Sequence, residues 1–130
     1  MSREVINALL WLIPAILLST TGELFLKKGM NEIGVLDFTS LGSIIPTFIR
    51  MAFNVNLWIG FAGFIGGSVF WLSVISRVPL SLAYPMLAIG YVVIAVESWI
   101  FLGEGFHPLR IIGSVVVGIG VALVGLSGAE

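Results

Sequence analysis

The stretch that decides the fold is 5–26, Val-Ile-Asn-Ala-Leu-Leu-Trp-Leu-Ile-Pro-Ala-Ile-Leu-Leu-Ser-Thr-Thr-Gly-Glu-Leu-Phe-Leu. Only one of its residues, Glu23, is charged, and it is followed by Lys27, Lys28 and Gly29. About 20 apolar residues cross the hydrocarbon core of a bilayer as a helix. Basic residues at the C-terminal end suit both the helix dipole and the lipid headgroups. Arg3 and the apolar run behind it also fit a secretory leader. The run continues through Leu24, Phe25 and Leu26, however, which is long for a leader and right for a spanning helix.

Working outward, the same pattern recurs three times. Apolar segments at 57–75, 80–102 and 109–126 each have spanning length, and Trp58 sits where an interface anchor belongs. The 31–56 connection divides in two. Its first part carries Glu32 and Asp37 and reads as a polar loop. Its second part, 41–53, is apolar but short and is interrupted by Pro46 and Arg50, which suits an interfacial or re-entrant helix. Gly103 to Pro108 reads as a hairpin and 127–130 as a short tail. The expected fold is all-α: one transmembrane domain over 1–130, a bundle of four spanning helices with an interfacial helix between the first two.

Composition agrees. Of the 130 residues, 58% are hydrophobic and 10% charged, against roughly 25% charged in soluble domains. A small water-soluble fold cannot hide that much apolar surface, so lipid must take it. The net charge of −1 gives no footprint for nucleic acid. Without cysteine there are no disulfides and no thiolate sites, and the single histidine, His107, cannot build a His-rich metal site. No nucleophile–base pair or phosphate-binding glycine loop is present, so no enzyme and no cofactor is expected. With four spans, Arg3 and Arg77 share the side of the termini, opposite Lys27, Lys28, Arg50 and Arg110. The positive-inside rule then leans, by a narrow margin, towards termini outside.

Four features carry candidate chemistry. Glu23 lies in the last third of the first span, where a carboxylate is expensive and normally faces protein or water. Helical spacing puts Ala15, Ser19, Gly22 and Glu23 on one face. Glu23 also precedes Lys27 by four residues, the favourable order for a helix ion pair, so a function and a plain pairing both stand. Glu97, late in the third span, reads as an interface-level carboxylate snorkelling to water or as a functional one. Pro85 cannot donate a backbone hydrogen bond and crowds the carbonyl of Ser81, so the third span should kink there. A freed carbonyl can face a polar path, and Tyr84 and Tyr91, two turns apart, can bind a substrate or simply pack. Finally, Gly63 and Gly67 form a GxxxG pair, and Ser114, Gly118 and Ala122 a small-residue stripe. Both suit close packing of helices, within the chain or in a dimer.

The motifs resemble a known group. Gly22-Glu23-Leu24-Phe25-Leu26-Lys27-Lys28-Gly29, Ser76-Arg77-Val78-Pro79-Leu80-Ser81-Leu82-Ala83-Tyr84-Pro85-Met86-Leu87 and Phe101-Leu102-Gly103-Glu104 resemble the drug/metabolite transporter superfamily (EamA-like). The size is that of its four-helix, small multidrug resistance-like branch. The run from Val78 to Met86 is most similar to the small subunits that flip aminoarabinose-linked undecaprenyl phosphate. The resemblance covers nearly all of the chain outside 31–56. It implies a bacterial inner-membrane transporter without cofactor, working as a homodimer or heterodimer on a lipid-linked or other amphipathic substrate. The multidrug pumps carry an essential glutamate in mid-helix where this chain has Ser19, and Glu23 lies one turn further on. That departure favours the lipid-linked branch over a proton-coupled exporter of cationic compounds.

The expected path is therefore lined by Glu23, Ser19, Tyr84 and Tyr91 beside Pro85, with Lys27, Lys28 or Arg77 holding a phosphate. A non-transporting accessory subunit is the remaining reading. Its signature would be a dry bundle with Glu23 paired to Lys27.

Overall fold

The computed structural model describes residues 3–127; of the expected tail only Ser127 falls among them. Six helices follow one another: α1 Arg3–Ile33, α2 Leu41–Ala52, α3 Val55–Ile75, α4 Leu80–Leu87, α5 Ile89–Phe101 and α6 Pro108–Leu126. The described residues contain no strand. Four spans are long and apolar enough to cross a membrane: α1, α3, α4 with α5 taken together, and α6. The protein is an integral membrane bundle.

The centre of the fold is the antiparallel pair α1–α3. Val5, Ala8, Leu12 and Ile16 recur at helical spacing and form one buried stripe with Val74, Val78, Leu82, Ala83 and Met86. Further along, the two backbones come into direct contact. A methyl group on Gly22 would lie 2.7 Å from the carbonyl oxygen of Gly60 and 2.8 Å from the amide nitrogen of Phe64. One on Gly63 would lie 3.1 Å from Cα of Gly22. One on Gly67 would lie 2.9 Å from the carbonyl oxygen of Ala15 and would collide with Ser19 Oγ. In lipid no hydrophobic force drives helices together, so close backbone approach of this kind is what joins them.

α1 is longer than its sequence suggests. The expected helix ends at 26 with Gly29 as terminator, but the helix runs on to Ile33. Gly29 is instead a packing residue, buried against Leu57 of α3. The added turns are tied down by polar contacts. Asn54 Nδ2 and Asn56 Nδ2 donate to the Glu32 carboxylate at 2.9 and 2.7 Å, and Arg50 donates to the carbonyl of Ile33 at 2.8 Å. The helix stops at Gly34, whose φ of +102° only glycine adopts freely. At 1.5 Å per residue its 31 residues span about 46 Å, more than a hydrocarbon core of about 30 Å.

α2 buries none of its residues. Leu41, Ile45, Phe48 and Ile49 are all exposed and lie at one- and two-turn spacings, which is the pattern of a helix lying in the interface. Before it, Asp37 accepts from both the backbone amide of Thr39, at 2.9 Å, and its hydroxyl, at 2.6 Å. These hydrogen bonds hold the Asp37 carboxyl below its ordinary value. A depressed folded-state pKa stabilises above the free-chain value and is lost as pH falls through the folded one. The turn at Asp37 should therefore open below the usual carboxylate range, with faster amide exchange at Thr39. An exchange rate at Thr39 that stays flat through that range would contradict this assignment.

The third span is broken, but not where proline alone would break it. Pro85 removes the bond to the carbonyl of Ser81, yet α4 continues through it and the interruption falls at Ala88. There the chain tightens, with Ala88 N donating to the carbonyl of Pro85 and Tyr91 N to that of Ala88, both at 3.0 Å. Gly90 follows, and a methyl group there would touch Ile16 and Thr20 of α1 at 3.7 Å. The break turns the start of α5 onto α1.

α6 lies on α4 and α5 and buries none of its residues within the chain. Gly118 has nothing within 4 Å of an added methyl group, and Ala122 is exposed. Ser114 bonds only back to the carbonyl of Arg110.

Candidate functional site

A groove of about 400 Å³ runs between α1, α3 and the α4–α5 break. Ser19 and Glu23 line it from α1, Trp71 from α3, and Tyr84, Ala88 and Tyr91 from the broken span. Four of the residues singled out in the sequence thus share one cavity. Pro85 does not face it; the break three residues later does. Trp71, Ser68 and Ala88 were not foreseen. Trp71 lies one turn beyond Gly67, which touches Ser19, so its place on the groove follows once the α1–α3 crossing is known. Trp71 meets Tyr84 edge-on, ring centroids 5.7 Å apart, which fixes the tyrosine at the groove wall.

The groove continues past Glu23 into a second space of about 320 Å³, lined by Lys27, Ser98 and Glu104. The two spaces share Glu23, and the second brings Lys27 and Glu104 together beside it. Glu23 is unpaired: among the described residues it makes neither a hydrogen bond nor an ion pair, with Lys27 or any other group. The i, i+4 pairing allowed by the spacing is not formed. On insertion scales an acidic side chain at a helix centre costs about 3 kcal/mol, and here no local partner offsets that cost.

Lys28 points to the other flank of α1. Arg77 sits in the α3–α4 turn beside the start of α1. By the antiparallel pairing this is about 30 Å from Lys27 at 1.5 Å per residue. One headgroup cannot touch both at once. Glu97 also differs from the snorkelling expectation. Its Oε1 accepts from Thr21 Oγ1 of α1 at 3.1 Å, while Oε2 is buried without a partner. Thr21 holds it at the α1–α5 seam. Gly63 and Gly67 are used inside the chain against α1, whereas Gly118 and Ala122 of the α6 stripe are exposed and Ser114 is half-buried towards α5. No cluster of potential metal ligands occurs among the described residues.

Comparison with known proteins agrees with this architecture. No protein-family model matches the chain, and no solved structure matches it at a significant level. Curated proteins do. The probable 4-amino-4-deoxy-L-arabinose-phosphoundecaprenol flippase subunit ArnF of Proteus mirabilis is 27% identical over 125 residues, covering 88% of this chain and 89% of that protein. The corresponding subunit ArnE of Salmonella paratyphi C is 28% identical over 116 residues, covering 88% and 93%. ArnE of Klebsiella pneumoniae is 30% identical over 80 residues, covering 60% of this chain and 71% of its own length. These relatives are transporter subunits and not enzymes, and the matches to ArnF of Proteus mirabilis and ArnE of Salmonella paratyphi C cover most of both chains. The chain belongs to the family of 4-amino-4-deoxy-L-arabinose-phosphoundecaprenol flippase subunits.

Proposed function

We propose that the chain moves a sugar linked to a polyprenyl phosphate between leaflets, the headgroup passing along the α1 groove while the tail stays in lipid. The observation that carries this reading is the groove itself. It is a mostly apolar groove that carries the polar groups of Ser19, Glu23, Tyr84 and Tyr91 and continues towards Lys27. Hydroxyls and a carboxylate can replace the water that a sugar loses on entry. Lys27 and Lys28 at one end, and Arg77 at the other, provide a phosphate-binding cation at each membrane surface. The pair would serve departure and arrival rather than a single site.

The groove is open on one side, and α6 is bare. A second copy, or a similar subunit, packed on Ser114, Gly118 and Ala122 would enclose the path, in the inner membrane of a bacterium. The whole chain then acts as one transmembrane unit. An accessory subunit without transport would need no groove and would have Glu23 paired. One observation favours a second reading: an unpaired carboxylate inside a span is what a proton-coupled exporter of small cationic or amphipathic compounds uses.

Native mass spectrometry of protein extracted with its own lipids separates these readings. The flippase reading expects a dimer carrying a polyprenyl phosphate species. A lipid-free dimer favours the exporter, and recovery only among unrelated subunits favours the accessory role.

A further inference from the structure

A second cavity lies on the other flank of the α1–α5 seam. It measures about 460 Å³ and is lined by Thr21, Lys28, Glu97, Leu24, Phe25 and Phe101. Leu24 and Leu102 also line the continuation of the groove, so these two side chains are the wall between the spaces. Its size falls in the range of small-molecule sites, roughly 300–1,000 Å³.

Its chemistry is uneven in a specific way. The walls are apolar, and the polar groups are one cation, one carboxylate and one hydroxyl. Lys28 and Glu97 are not paired with each other among the described residues. Thr21 uses its hydroxyl on Glu97 Oε1, leaving Oε2 buried and without a hydrogen-bond partner. A buried carboxylate oxygen left unsatisfied is expensive, and a donor brought by a ligand would repay that cost. The donor that suits Glu97 Oε2 is cationic or strongly polar, and Lys28, exposed on the same cavity, suits an anion. One ligand supplies both if it carries a phosphate and an ammonium a few bonds apart. The position, at the end of α1 where Lys27 and Lys28 meet the headgroups, suits a lipid whose chain leaves along Phe25 and Phe101.

We infer that the Thr21–Lys28–Glu97 cavity binds the headgroup of a lipid that carries both a phosphate and a primary ammonium, with Glu97 recognising the ammonium. An aminosugar phosphate on a polyprenol has this chemistry, and so does phosphatidylethanolamine. The first source rests on the flippase reading; the second does not.

The test measures binding in phosphatidylglycerol nanodiscs to three lipids: undecaprenyl phosphate, the same lipid carrying an aminosugar, and phosphatidylethanolamine. The full chain is compared with Glu97→Gln and Glu97→Asp. An amine-bearing lipid is expected to lose at least tenfold in affinity in Glu97→Gln and to recover in Glu97→Asp, which keeps the carboxylate. If that lipid is the aminosugar polyprenyl phosphate, the site belongs to the transport substrate. If it is phosphatidylethanolamine, with no polyprenyl phosphate bound by any form, the site stands and the flippase reading falls. Equal loss in both variants, or no loss in Glu97→Gln for either amine lipid, overturns the inference.

Discussion

Gly22→Leu should abolish the folded bundle, whereas Gly118→Leu should leave the fold of the chain intact. The two substitutions are chemically the same and differ only in what the side chain meets. At Gly22 the first added carbon already lies 2.7 Å from the carbonyl oxygen of Gly60 and 2.8 Å from the amide nitrogen of Phe64. Both are backbone atoms of α3 and cannot rotate away. Overpacking of a protein interior by a few methylenes costs about 1–3 kcal/mol, and four carbons against two fixed backbones should exceed that. Total stabilities are only about 5–15 kcal/mol, so separation of α1 from α3 is the expected outcome. At Gly118 nothing lies within 4 Å. There the leucine should cost the chain little and act instead on whatever partner covers α6. Thermal unfolding in detergent, followed by circular dichroism, reads the first effect, and the mass of the assembly reads the second. A Gly22→Leu protein as stable as the parent would refute the α1–α3 crossing described above.

Ala88→Phe should slow transport at least tenfold while preserving thermal stability. Ala88 stands at the break of the third span and lines the groove opposite Ser19 and Glu23. A benzyl group there fills part of a space of about 400 Å³ without entering the α1–α3 contact. Glu23→Gln, paired with it, separates the two transport readings. If Glu23 serves as a polar contact for a sugar, the amide should lower the rate by a similar factor at every pH. If it carries a proton in exchange for a cation, the variant should lose transport and its pH dependence together. Full activity of Ala88→Phe would mean that the groove is not the path.

Much of this architecture was readable in the residues, and the reasons for the failures are physical. Spanning length and apolar content are properties of each segment alone, so four spans and an interfacial helix followed directly. The end of α1 did not. Gly29 looks like a terminator, but a glycine inside a helix can equally be a contact, and only the position of Leu57 decides. Periodicity put Ser19 and Glu23 on one face of α1 and Tyr84 and Tyr91 on one face of the third span. It could not reveal that these faces meet, because the break falls at Ala88 and not at Pro85. Helical spacing sets Gly22 on a face of small residues that another backbone can approach, but it does not name Gly60 as the partner, because that glycine lies on another helix. Glu97 stayed open between a snorkelling and a functional carboxylate for the same reason: its environment is set by Thr21, 76 residues away.

The most direct test of the central claim is flipping by the purified protein in sealed vesicles, alone and with a similar subunit. The lipid-linked aminosugar is placed in one leaflet and its amine titrated from outside with a membrane-impermeant reagent. The protein should expose lipid from the inner leaflet, and Ala88→Phe should remove most of that rate. A rate equal to that of empty vesicles, with a properly folded and assembled protein, would contradict that claim.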